Sequence, residues 1–293
     1  MKLLLLPALS ASLLLFAIAP AAAHDRAESG EQTIEISATA EIGVVRSLFH
    51  DIQIGEDGYR FDYVQEGGQE LLLPFFRFEA DALMKGRHEF ALLYQPLTLT
   101  TETRVDNDGG ILIDDVVFAD DSPLDLQYGF DFYRGTYRYR IINQPHMTFA
   151  LGGALQIRNA SIIFDGYRED DDGRLVEART ISQDLGPVPV ISTAFRRSWE
   201  SGRFFEATLD GFYAPVRYLN LRDVDVIGWL YDVALRVGTP LYEDSEVYLS
   251  LRFLGGGADG TAAERTRWTQ SQSTPRYTWN NLNLAALSLG VRL

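Results

Sequence analysis

Histidine and serine are the residue types through which this cysteine-free chain could carry out acid–base or nucleophilic chemistry near neutral pH. The chain has four histidines. His50 stands beside Asp51 and three residues after Ser47, so one segment holds a nucleophile, a base and a carboxylate. A single short segment cannot also supply the oxyanion donors, and this grouping alone therefore does not predict an active site.

The rest of the sequence lacks the motifs that accompany common catalytic or cofactor-binding sites. It contains no glycine-rich nucleotide loop, no nucleophile elbow and no zinc-spaced cluster. His88 and His146 border predicted short turns, and His24 precedes the first predicted strand. We therefore predict a protein that is not an enzyme and uses no cofactor. A hydrolase that uses His50 with nearby carboxylates is an alternative.

Two predicted loops are rich in carboxylates, which are the ligands that hard cations such as calcium prefer. One loop carries the run Asp-Asn-Asp-Gly-Gly and the other the run Asp-Asp-Asp-Gly. Neither run has the complete ligand spacing or the closing glutamate of a calcium loop. Solvated loops are therefore the main prediction. The candidate cation ligands are Asp106, Asp108, Asp170 and Asp172.

The elements that position these residues are predicted to be β-strands, because apolar and polar residues alternate with a period of two. In the segment 245–253, for example, Val247 and Leu249 lie on one face, whereas Tyr248 and Arg252 lie on the other. The predicted strands are 33–46, 69–83, 88–101, 124–141, 147–164, 185–199, 203–217, 224–238, 245–256 and 280–293.

One face of the predicted strands carries most of their charged residues. If the strands close into a barrel, this face lines the interior, where unpaired charge is costly. The two signs nearly balance, and the cations are arginines, whose planar guanidinium suits paired contacts with carboxylates. We therefore predict a network of ion pairs in the lumen. Its members are Glu35, Glu41, Arg77, Glu79, Asp81, Arg134, Arg138, Arg140, Arg158, Glu206, Asp210, Asp232, Arg236, Arg252 and Arg292.

The connections between the predicted strands alternate in length, which is typical of barrels that span an outer membrane. The short connections are 84–87, 142–146, 200–202 and 239–244. The longer connections are 47–68, 102–123, 165–184 and 255–279, with a smaller one at 218–223. The predicted fold is all-β: a single antiparallel up-and-down transmembrane β-barrel of about ten strands, with eight or twelve as alternatives. A soluble lipocalin-like barrel or β-sandwich is the other alternative.

The N-terminal sequence predicts export. Residues 1–23 have the features of a cleaved signal peptide: Lys2, an apolar stretch and a run of small residues that ends at Ala23. A polar lead-in (24–32) and the barrel domain (33–293) follow. Beyond Ala23 no stretch approaches the ~20 apolar residues that a membrane helix needs. The net charge of −15 argues against a nucleic-acid partner.

The segment 280–293 resembles the terminal strand of bacterial outer-membrane proteins, because Leu287, Leu289 and Val291 alternate with small or polar residues. Such strands most often end in Phe or Trp, whereas this one ends in Leu293. The resemblance implies insertion into the bacterial outer membrane after export to the periplasm. It also implies recognition of this segment by the barrel assembly machinery, and contact with membrane lipid and lipopolysaccharide. A divalent cation that bridges the acidic loops to lipopolysaccharide phosphates is a further hypothesis.

A ten-stranded barrel of this length resembles the outer-membrane proteases called omptins in architecture only. Omptin chemistry needs an Asp-x-Asp pair and an Asp-x-His pair that face each other at the outer rim. Asp223 and Asp225 supply the first pattern, but the second does not occur in this sequence. We therefore predict a porin-like membrane protein with a side-chain-filled lumen and a structural or surface-binding role, or narrow passive transport. The alternatives are a surface hydrolase at the outer rim and a soluble periplasmic carrier of lipids or small ligands.

Overall fold

The fold is taken from a computed structural model of the chain. The predicted signal peptide and the polar lead-in lie outside the residues that this structure describes, and both stay predictions. Within the described ranges, no helix is long and apolar enough to cross a membrane. The described residues are 34–69, 72–215, 225–242, 245–263 and 275–293.

The described part of the chain is built from antiparallel β-strands, most of which continue the alternation seen in the sequence. In chain order the strands are β1 (Ile34–Ile54), β2 (Phe61–Asp62), β3 (Leu73–Met84), β4 (His88–Gln95), β5 (Thr98–Arg104), β6 (Ile111–Ile113), β7 (Val116–Phe118), β8 (Pro123–Gln144), β9 (Met147–Glu169), β10 (Leu175–Ser198), β11 (Phe204–Pro215), β12 (Asp225–Tyr242), β13 (Ser245–Ala263) and β14 (Pro275–Arg292).

Ten of these elements close into a single barrel. Neighbouring strands pair in the order β14-β13-β12-β11-β10-β9-β8-β4-β3-β1, and β1 pairs with β14 to close the ring. β5 continues the line of β4 along β8, with a break at Pro96 and Leu97. β2 adds to β1 beyond the end of β3, and β6 and β7 form a separate small hairpin. The predicted fold class and the prediction of ten strands are confirmed.

The lengths of the connections between strands agree with the sequence-based prediction at one end of the barrel and differ from it at the other. Short connections follow β3, β8 and β10, and the C-terminal Leu293 lies at the same end, where it pairs with Ala38. The predicted long loop 165–184 is wrong, because β9 and β10 remain paired until only residues 170–174 separate them. Likewise β1 continues as strand to Ile54 inside the predicted loop 47–68. These strands extend further because ladder hydrogen bonds satisfy backbone groups even where the side chains are polar.

The outer surface of the barrel is an apolar belt. Large apolar side chains that alternate with buried ones point away from the lumen and are exposed. In water such a continuous surface would be unfavourable, whereas a bilayer covers it and requires a closed sheet without free edges. The members of the belt include Ile36, Ile42, Val44, Leu92, Leu151, Leu155, Ile191, Leu209, Leu235, Leu249, Leu251, Leu287 and Leu289.

The lumen is divided into two layers of different chemistry. The layer at the end with the short turns is charged. The layer at the end with the long loops, which we call the apolar layer, contains residues from the strands and from loops that fold inward. Its buried members are Val45, Ile52, Ile54, Phe61, Tyr63, Phe75, Leu97, Leu99, Val105, Ile111, Ile113, Phe118, Leu124, Leu126, Tyr128, Ile162, Phe164, Leu254, Leu282, Leu284 and Ala286.

The apolar layer corrects one reading of the sequence. The shared phase of Tyr128, Phe132 and Arg134 predicts either a bulge near Phe132 or a strand that projects above the membrane. In the structure all three side chains are buried on the lumen side, and the register shift in the pairing of β8 with β9 lies farther along, between Arg140 and Ile142. β8 is regular near Phe132 because its inward face passes from the apolar layer into the charged one.

Candidate functional site

The charged layer is an ion-pair network assembled from distant parts of the chain. It is defined by arginines and carboxylates linked by contacts of 4.0 Å or less. Period-two alternation places each of them on the inward face of its strand. The members are Glu41, Arg77, Glu79, Arg134, Arg196, Glu206, Asp210, Asp232, Arg236, Glu246, Arg252 and Arg292.

Asp232 lies at the centre of the network. Its carboxylate accepts contacts from the guanidinium groups of Arg77 and Arg134, each at 3.2 Å, and a third from Arg252. Arg134 also contacts Asp210. Arg252 is 0% exposed, so its charge depends on these partners rather than on water. Asp232 therefore holds together side chains from β3, β8 and β13.

Glu41, on β1, forms a second centre three strands away from Asp232 around the barrel. Its Oε1 accepts a hydrogen bond from Arg236 Nη2 at 2.8 Å and one from the Tyr248 hydroxyl at 3.1 Å. Its Oε2 accepts a bond from the Ser288 hydroxyl at 3.0 Å, and Arg252 lies 3.4 Å from Oε1. Arg252 thus connects the two centres.

The network opens toward the end with the short turns. Arg292 contacts both Glu206 and Glu246 at 3.0 Å, and Arg196 contacts the same two carboxylates. Guanidinium–carboxylate pairs at a partly hydrated mouth lose less hydration free energy than the fully buried pairs above them. They therefore need fewer protein contacts to offset that loss. The charge therefore continues without interruption from the buried centre to the mouth.

Most residues that the sequence assigns to the lumen are brought together by the structure, and four stand apart. Arg138 and Arg140 both contact Glu89 at one edge of the layer. Glu35 is exposed and Asp81 is half-buried, and neither forms an ion pair among the described residues. Glu35 shares the inward phase of β1, but it lies at the mouth, where water replaces a protein partner. The side chain of Arg158 lies outside the part of the structure that is described.

Sequence reasoning missed two members of the network, Arg196 and Glu246, and the carboxylate Glu89 at its edge. Glu246 has the inward phase of Tyr248 and Arg252, and Glu89 has that of Leu93, so the alternation could have identified both. The neutral members carry no such signal, because their role depends on which arginine they meet. They are Gln95, which accepts from Arg77; Gln156, which accepts from Arg134; and Ser192, which donates to Asp210.

His50 lies in the apolar layer and not at the outer rim. It is 1% exposed, and its ring stacks on Tyr63 with centroids 4.0 Å apart. Its Nδ1 lies 2.7 Å from Gln69 Oε1, which also accepts a hydrogen bond from the Ser47 hydroxyl at 3.0 Å. Asp51 points to the opposite face of β1, since neighbouring strand residues alternate between the two faces. A hydrolase that uses His50 at the rim is therefore not supported by its position.

The loop between β1 and β3 closes the barrel over this histidine. Asp62 caps a turn by accepting hydrogen bonds from the backbone N–H groups of Val64 and Gln65. The Tyr59 hydroxyl donates to Glu66 at 2.7 Å. That bond, aided by partial burial, raises the pKa of Tyr59 to about 12. The loop is thus a folded cover with its own polar contacts.

The candidate cation ligands do not converge. Asp170 accepts hydrogen bonds from the backbone N–H groups of Asp172 and Arg174 and so stabilises its own turn. Asp106 and Asp108 stand in a different connection, between β5 and β6. No group of three or more potential metal-ligating side chains occurs in the described ranges.

Two small cavities lie among the side chains of the charged and apolar layers. One cavity of about 10 Å³ lies within the charged layer, between Arg77, Arg138 and Arg236. A second, of about 30 Å³, lies at the boundary between the layers, beside Phe132, Arg134 and Leu254. Cavities of these sizes hold about one or two water molecules. Side chains of the charged layer line the first cavity, and side chains of both layers line the second.

No protein-family model and no curated protein matches the chain. Similar solved structures include the outer membrane protease OmpT from Escherichia coli (11% identity, 90% of this chain and 98% of that chain, TM-score 0.41). They also include Ail of Yersinia pestis (10%, 88% and 99%, TM-score 0.30) and the toluene transporter TodX of Pseudomonas putida (8%, 87% and 89%, TM-score 0.30). These likenesses concern the fold alone.

The fold and the distribution of polarity define the class of protein. A closed antiparallel barrel with an apolar outer belt, a polar lumen and short turns at one end is an integral outer-membrane β-barrel. The predicted class and its outer-membrane location are confirmed. Of the Asp-x-Asp pair, Asp225 begins β12, and Asp223 lies outside the described residues.

Proposed function

We propose that this chain is a non-conducting outer-membrane barrel that serves as a structural element and carries a surface-binding rim. The observation that supports the proposal is the filled lumen, in which buried arginine–carboxylate pairs lie beneath a packed apolar layer. An open pore needs a continuous hydrated path, and the cavities beside these layers hold about one or two waters each. Passive transport is therefore the less favoured role.

The described part of the rim supports a binding role because its backbone is paired or packed against the barrel. β9 and β10 continue as a paired hairpin to Glu169 and Leu175, and the cover loop between β1 and β3 packs into the apolar layer. Ordered, exposed surface of this kind can recognise a partner without paying a large ordering cost. Lipopolysaccharide, the barrel assembly machinery acting through 280–293, and a divalent cation at the acidic loops are the proposed partners.

Reconstitution of the folded chain into planar lipid bilayers tests the main proposal. We expect no steady conductance in 1 M KCl at moderate voltage, while a general porin reconstituted in parallel gives stable current steps. Refolding is checked beforehand by the shift in gel migration between unheated and boiled samples. A stable current in the unmodified barrel, of a size that requires a continuous water path, would contradict the filled lumen and favour passive transport.

A further inference from the structure

The outer wall over β11 to β14 and β1 changes its chemistry abruptly toward the end with the long loops. One row of paired outward positions is almost entirely apolar. It runs from Leu209 to Val233, Phe253 and Ala285, and it ends at Arg46 on β1. The next two rows contain aromatic rings and amides. This transition marks the edge of the apolar belt on this side of the barrel.

Aromatic rings lie across the strands beyond that edge. A Cβ added at Gly257 would collide with the Asn280 carbonyl oxygen and with the Trp229 ring, so the missing side chain leaves room for both. A Cβ at Gly255 would lie 2.9 Å from the Tyr231 hydroxyl. The two glycines therefore let residues of β12 reach across β13 toward β14.

The same place on β14 presents amides to the outside. The Tyr231 hydroxyl donates to Asn283 Oδ1 at 2.6 Å, and Asn283 Nδ2 donates to Asn281 Oδ1 at 2.8 Å. Both asparagines are half-buried on the outward face. Amides are costly in contact with acyl chains, and they are well placed where the surroundings offer hydroxyl or phosphate partners.

Guanidinium groups frame this surface above and below. Arg60 lies over the Trp279 ring at 4.9 Å and contacts Asp51 at 3.4 Å, and its side chain is 55% exposed. Arg46 extends from the outer face of β1 and forms no ion pair among the described residues. An arginine at the edge of an apolar belt reaches toward lipid phosphates with its charged end.

We propose that this surface binds the phosphorylated sugar head group of lipopolysaccharide. We call it the aromatic shelf and define it as Arg46, Arg60, Trp229, Tyr231, Trp279, Asn281 and Asn283. Aromatic faces pack against the C–H faces of sugar rings, amides exchange hydrogen bonds with their hydroxyls, and guanidinium groups pair with phosphates. A phospholipid would use only the arginines, because it has no sugar ring to cover the shelf. The inference rests on the outer-membrane placement given under the proposed function.

The test measures binding of purified deep-rough lipopolysaccharide to the folded full barrel in detergent by native mass spectrometry. We expect Arg60→Gln and Trp229→Leu each to weaken binding about fivefold or more. Arg179→Gln is the matched charge control, because Arg179 is 58% exposed and also pairs with a strand aspartate. Trp199→Leu is the matched aromatic control at the opposite end of the barrel. Both controls should change the affinity less than about twofold.

Binding of two further ligands distinguishes the contribution of the sugar rings from that of the phosphate charge. Dephosphorylated lipopolysaccharide should bind more weakly, and phosphatidylglycerol should bind without any dependence on Trp229. Equal loss in the test and control variants, or equal dependence of phosphatidylglycerol on Trp229, would overturn the proposal. Gel migration confirms that each variant is folded before it is scored. Conductance is measured separately, so a conducting barrel would remove the proposed function and leave this inference intact.

Discussion

At the scale of single residues, Asp232 decides whether the charges in the lumen stabilise or destabilise the barrel. It is 2% exposed and accepts contacts from three guanidinium groups on three different strands. Taking such charges out of water costs several kcal/mol per ion, which the contacts offset only while every partner is present. Arginine suits this task because its fixed fork can serve two carboxylates, as Arg252 does with Asp232 and Glu41.

Replacing Asp232 should therefore destabilise the barrel strongly. We expect Asp232→Asn to lower the free energy of unfolding by about 3–5 kcal/mol, because it leaves buried guanidinium groups without their shared counter-charge. Urea unfolding of the barrel in lipid vesicles measures this change. Asp165→Asn is the control: it removes the carboxylate that pairs with exposed Arg179 and should cost less than about 1 kcal/mol. If the two variants lose similar amounts of unfolding free energy, the charged layer contributes no more to stability than an exposed ion pair does.

At the scale of elements, the loop between β1 and β3 behaves as part of the barrel and not as a flexible connection. Tyr63 and Gln69, from this loop, contact His50 on the inward face of β1. Thr101 and Thr103, on β5, donate hydrogen bonds to backbone carbonyls of the same loop. The stacked rings and the polar bonds together hold the cover against the apolar layer.

Removal of the histidine ring should release this cover while the barrel stays closed. His50→Ala removes the stacking with Tyr63 and the contact with Gln69. We expect this loss to lower the free energy of local opening of the loop by about 1.5 kcal/mol, which raises the population of the open loop about tenfold. Limited trypsin digestion at Arg60 should accelerate accordingly. Leu48→Ala, on the outward face of the same strand, should leave the cleavage rate unchanged. An unaltered rate in His50→Ala would mean that the loop is held by its other contacts.

At the scale of the whole molecule, the distribution of polarity is inverted relative to a soluble barrel. Apolar side chains such as Leu249 and Leu251 are exposed, while Ser250 and Arg252, which alternate with them, are fully buried. This inversion is favourable only if lipid covers the outside, because a bilayer removes the cost of exposing apolar surface. The membrane is thus part of what stabilises the fold.

The depth of a charged substitution on the outer face should determine its cost. Leu251→Arg, in the middle of the belt on β13, should destabilise the barrel by about 2–4 kcal/mol in lipid vesicles. Tyr242→Arg, at the end of β12 near the short turns, should cost about 0–1 kcal/mol. Both are measured by denaturant unfolding in the same vesicles. If the two substitutions cost the same, the belt does not mark the membrane.

The sequence by itself determined most of the strands and their inward and outward faces, because a period of two is a local property of consecutive residues. Closure of the barrel depends on the pairing of β1 with β14, which alternation alone does not fix. The sequence also identified Glu41, Arg236 and Arg252 as lumen charges, but it could not pair them. Only the tertiary structure decided that Glu41 meets Arg236, 195 residues away, since such contacts depend on the register of every intervening strand. The same holds for the burial of His50 and for the apolar layer around Tyr128, which exist because distant loops fold into the barrel.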